Sequence, residues 1–167
     1  MGVRHYVKAD RSKQYKELDA LNGRSVEVGV FNGEHAWLAH IHEFGCQIPV
    51  TEKMRAYLHW TGLHIKKSTR VIVIPERSFL RGGYDASKDE VVMTSAMLVN
   101  AVAEGALSAD ALLEAVGTTL EGKIKEYATN LGDPPLHGYT LEHRAHGGSN
   151  PLNDTGDMIG GITHRVK

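Results

Sequence analysis

The chain has 167 residues, and its 19 lysines and arginines nearly balance its 20 aspartates and glutamates, for a formal net charge of −1. One domain of this length buries about 70% of its unfolded surface, and the near-neutral balance excludes the overall basic field of a general nucleic-acid coat. The single cysteine, Cys46, closes no internal disulfide. The polar N-terminal stretch lacks the apolar run of a signal peptide, and no segment approaches the ~18 apolar residues of a membrane span, so a soluble protein made inside the cell is expected.

In chain order, Ser12 is the expected N-cap of a first short helix carrying Tyr15, Leu18 and Leu21, which Asn22 and Gly23 end. Residues 25–31 alternate, with Val26, Val28 and Val30 on one face of a half-buried strand. Asn32 and Gly33 turn the chain into a helix over 34–44, where Trp37, Leu38, Ile41 and Phe44 form the expected apolar face. Gly45 follows as its C-cap. Residues 46–70 read as an excursion: a short strand over 47–50, a helix capped by Thr51 and closed near Gly62, then a basic run of Lys66, Lys67 and Arg70.

The run Val71, Ile72, Val73, Ile74 predicts a central strand covered on both faces, ended by Pro75. Arg77 and Arg81 read as solvated positions at a helix entry, and Phe79 and Leu80 as core residues packed on the helix of Trp37 and Ile41. Gly82 and Gly83 should break the chain before a long helix over 84–104, whose stripe of Val91, Leu98 and Val102 lies beside a second of Val92, Val99 and Ala103. So wide a face implies contact on two sides. Ser108 caps a further helix over 109–130, with Leu113, Val116, Leu120, Ile124, Tyr127 and Leu131 at spacings of three and four, and the two long helices should pair antiparallel. Residues 132–157, rich in glycine and proline, read as an extended arm that orders on a partner. Asp154 or Thr155 fixes the entry to a returning edge strand over 159–166.

Ten histidines raise the question of a metal. On a helix, at about 100° per residue, His35 and His42 share a face two turns apart and His40 points elsewhere, so the spacing does not gather a ligand set. His137, His143 and His146 stand on the arm without a cysteine or histidine framework. Cys46 follows a helix C-terminus, where the dipole disfavours a thiolate. Neither a nucleophile elbow nor a phosphate-binding glycine loop occurs, and the sequence assigns no catalytic, cofactor or metal residue.

Three separated stretches, HIHEFG at 40–45, IPERSFLR at 74–81 and PLNDTGDMIGGI at 151–162, resemble in their order the tail-completion, or head-tail joining, proteins of tailed bacteriophages, also called virion morphogenesis or minor tail proteins. The resemblance spans roughly residue 26 to the C-terminus. Cys46 stands where that family often has threonine, and Asp157 and Gly161 where a basic residue and a serine are common. With the elements above, it implies an α+β fold: a small antiparallel sheet packed against two long helices, with an extended C-terminal arm and a returning last strand.

The function implied is structural: a neck protein of the virion, assembled in the host cytoplasm, that completes the tail and joins it to the head connector without chemistry, cofactor or membrane. Its partners would be its own copies in a ring of six with DNA passing through the lumen, head-completion or connector proteins, and the tail terminator or tail tube. A tail terminator ring is the nearest alternative, and a small metal-dependent or nucleic-acid-processing enzyme built on the histidines is the rival from another class. Partner contacts are expected at Lys66, Lys67, Arg70, Arg77, Arg81, Leu136, Tyr139, Asp154 and Thr155. Charge supports self-assembly: residues 51–81 carry seven bases against two acids, whereas residues 84–133 carry nine acids against three bases, so two unlike surfaces of one subunit attract each other between copies.

Overall fold

The computed structural model describes residues 10–144 and 146–167, and the polar N-terminal residues 1–9 lie outside it. The elements are α1 (Ser12–Asp19), β1 (Val26–Val30), α2 (Gly33–Phe44), β2 (Cys46–Pro49), α3 (Glu52–Trp60), β3 (Val71–Ile74), α4 (Phe79–Ala103), α5 (Ala109–Asn130), α6 (Gly138–Glu142), α7 (Asp157–Gly160) and β4 (Ile162–Val166). The fold is α+β, dominated by the antiparallel pair α4 and α5. Its strands form two separate antiparallel ribbons: β1 with β4, in register from Val26 opposite Val166 to Val30 opposite Ile162, and β2 with β3, from Cys46 opposite Ile74 to Pro49 opposite Val71.

Local chemistry sets most boundaries. Thr51 and Ser108 cap α3 and α5 by accepting from the N–H groups of Met54 and Ala111. Gly45 ends α2 at φ 70°; a Cβ there would lie 2.9 Å from the Ile74 carbonyl oxygen, so only glycine lets the two segments pass. At α1 the cap sits one residue earlier than expected. Arg11 holds the N-cap position, and the Ser12 N–H donates to the Asp10 carboxylate.

The ribbon of β1 and β4 packs on α5, and α7 closes against α2 and α5. At the centre Phe79 is fully buried among Ala39, Ile124, Ala128, Leu152, Met158, Ile159 and Ile162. A second cluster, Val102, Leu112 and Leu113, is covered by Leu18 and Leu21. Phe79 is thus the core residue expected, but Trp37 is not its neighbour. Trp37 and Phe44 are exposed, while Ala39, Ile41 and Glu43 are the buried side of α2. A small side chain at 39 lets α2 approach the core closely; an indole there would hold it away.

Three further expectations are corrected. The run of β-branched residues at 71–74 is not covered on both faces: among the described residues β3 pairs only with β2, and Val71 and Val73 are exposed. Gly82 and Gly83 do not interrupt the chain, since α4 runs through them from Phe79. A Cβ on Gly83 would lie 3.1 Å from the Cα of Ile124, and one on Gly82 2.8 Å from the Tyr127 hydroxyl, so the pair permits a close helix crossing. Finally, the arm over 132–157 is not all surface. Pro151 and Leu152 are buried.

Candidate interaction surfaces

Glu43, at the end of α2, stands under the start of α4. Its buried carboxylate accepts from the Ser78 hydroxyl (2.7 Å), the N–H of Leu80 (2.8 Å), and both the N–H and Nε of Arg81 (3.1 and 2.9 Å). Burial by itself pushes the carboxyl pKa up, but these donors together hold it below the usual glutamate value. The carboxylate satisfies N–H groups that the first turn of a helix leaves free, which is why α4 begins at Phe79 and crosses two glycines. The Arg77 N–H donates to the His42 carbonyl oxygen at 2.7 Å, so 40–45 and 77–81 are bound into one joint.

The nine expected contact residues divide sharply. Lys66, Lys67 and Arg70 are exposed on the excursion between β2 and β3. Arg77, expected to be solvated, is buried, and its guanidinium donates to the carbonyl oxygens of Pro134 (2.8 Å) and Pro135 (3.0 Å), clamping the start of the arm. Arg81 is partly exposed but engaged within the chain, paired with Glu43 and Glu76 and lying 4.7 Å over the Phe44 ring. Leu136 and Tyr139 are half-buried; the Tyr139 hydroxyl donates to the Thr61 carbonyl oxygen at 3.0 Å and its ring stacks on His143, so α6 leans on the end of α3. Asp154 is exposed and pairs with Arg144, and the Thr155 hydroxyl donates to the Asp157 carboxylate at the start of α7. The pair thus stands at a turn before α7, and α7 separates it from the strand whose entry it was expected to fix.

Sequence reasoning missed the exposed apolar faces. On α3, Lys53, Tyr57 and Trp60 lie three and four residues apart and all face solvent, Trp60 at 81% exposure. On α4, Met93 and Met97 are 68% and 64% exposed, and Val92 and Val99 are exposed beside them. The two-sided contact expected of α4 is therefore met within the chain on one side, by α5 and α1. On the other side no described element covers Val92, Met93, Met97 and Val99. The missed signal was the methionine pair one turn apart, which reads as core by composition alone.

Of the three histidines on α2, His40 packs against Phe44 and His35 lines a surface hollow with Trp37. His42 is half-buried, and burial followed by repulsion from Arg77 holds its imidazole below the usual value. No group of three histidine, cysteine or acidic side chains placed to hold a metal occurs among the described residues, and none of their helices is long and apolar enough to cross a membrane. Compared with protein families, curated proteins and solved structures, the chain matches none.

Proposed function

We propose that this chain is a non-catalytic structural subunit of the neck of a tailed bacteriophage, one that assembles with its own copies to complete the tail and join it to the head connector. The observation that carries the reading is that the three stretches resembling the tail-completion proteins, far apart in sequence, meet at one place. Glu43 of the first receives the donors of Ser78, Leu80 and Arg81 of the second, and Phe79 of the second packs on Leu152, Met158 and Ile159 of the third. Residues that jointly build a scaffold are what a shared fold would keep. The excursion, with Lys66, Lys67 and Arg70 exposed, suits contact with another subunit.

Antibody labelling of assembled particles tests the placement: label at the head-tail junction is expected, and label confined to unassembled protein rejects it. Reversing Lys66, Lys67 and Arg70 to glutamate should leave a folded chain, because exposed charges contribute little to stability. Heads and tails should then accumulate unjoined. Joined, infectious particles with unchanged salt sensitivity would reject an electrostatic role for the excursion.

A further inference from the structure

We propose that α3 of one copy docks lengthwise on the outer face of α4 in a second copy, through Tyr57 and Trp60 against Met93 and Met97. The proposal rests on the self-assembly reading above and names its interface. Each face is an exposed helical stripe, and the two differ in a complementary way. That of α3 is aromatic and basic, with Lys53 one turn before Tyr57 and two before Trp60, and with Lys66 and Lys67 exposed on the same excursion. That of α4 is thioether and acidic: Asp89 and Glu90 precede Met93 and Met97, and Glu104 follows, all exposed. Glu90 is paired with Lys123 at 2.8 Å, leaving Asp89 and Glu104 as the acids available to Lys53.

The chemistry fits the geometry. Aromatic rings gain from contact with polarisable sulfur, and flexible methionines adapt to an indole of fixed shape. Opposite rim charges steer the encounter and disfavour pairing of either stripe with itself. Among the described residues α3 makes no extended contact with α4, and Tyr57, Trp60, Met93 and Met97 are exposed for another copy. Because the two faces lie on different elements, each copy offers one of each, and head-to-tail repetition of the contact yields a ring or an open chain, while a reciprocal pair must engage both faces at once.

Two variants and their mixture test this. Trp60→Glu removes the α3 face and Met93→Glu/Met97→Glu removes the α4 face; all three positions are exposed, so circular dichroism should report a native fold. Sedimentation from micromolar to millimolar concentration should show the wild type as multimers and each variant weakened at least about tenfold. An equimolar mixture should form one-to-one heterodimers and nothing larger, since each variant retains the face that the other has lost. Wild-type assembly with either variant assembling equally well, or with folded variants that do not pair when mixed, overturns the α3–α4 contact and leaves self-assembly standing. A wild type monomeric throughout overturns both readings, whatever else α3 then binds.

Discussion

The carboxylate of Glu43 takes both the backbone N–H and the Nε of Arg81, 38 residues later in the chain, and so joins the end of α2 to the start of α4. Glu43→Gln keeps the size and loses the charge, with an expected cost of about 2–3 kcal/mol, as for hydrogen bonds to a buried ionised group. Because the folded carboxyl titrates below its usual value, this stabilisation is complete above the unfolded glutamate pKa and is lost as pH falls through the depressed one. Urea melts should therefore show a gap between wild type and variant at pH 7 that closes in acid. A gap independent of pH would remove the charge from the explanation.

His164 on β4 gives the opposite dependence. Its Nδ1 lies 2.7 Å from Glu121 and its Nε2 3.0 Å from Glu114, and these hydrogen bonds raise its pKa, while Lys125 holds Glu121 from the far side. The stabilisation is present in full below the ordinary imidazole value, about 6.5, and is lost as pH rises through the raised one. The wild-type melting midpoint should fall across that window, and that of His164→Gln should fall less. Equal slopes would show that this histidine does not titrate on folding.

Phe79→Ala empties the centre of the core, where the ring has no exposure. The expected loss is about 3–5 kcal/mol in chemical denaturation. A loss below about 1 kcal/mol would contradict the burial.

Two helical glycines should respond with opposite signs. Gly122→Ala meets nothing within 4 Å and should stabilise α5 by up to about 1 kcal/mol. Gly83→Ala gains the same propensity but drives a methyl against the Ile124 backbone at 3.1 Å, an overpacking cost of about 1–3 kcal/mol that should win. Thermal melts of the two variants decide the point; equal shifts would deny the close crossing of α4 and α5.

The arm should be divided in its dynamics. Residues 146–149 are exposed and in no helix or strand, whereas Leu152, Met158 and Ile159 are buried. Hydrogen exchange in the free subunit should be fast over the first group and slow at Met158 and Ile159. Uniform protection from 136 to 159 would reject the partition.

What the amino-acid sequence determined alone was whatever has a local cause. Thr51 and Ser108 cap because a short hydroxyl side chain reaches an N–H three residues on; Gly45 accepts positive φ; the apolar period of 109–130 makes a helix with one buried side. The tertiary structure decided the rest, because the same local pattern serves two outcomes according to what arrives opposite it. Four β-branched residues form a strand either way, but the tertiary fold leaves Val71 and Val73 in solvent. Gly82 and Gly83 read locally as a break before a helix. Here they continue one, because Glu43 satisfies its first donors and α5 needs the space their missing side chains provide. Arg77 reads as solvated until the carbonyl oxygens of Pro134 and Pro135, brought 57 and 58 residues back along the fold, replace the water around its guanidinium.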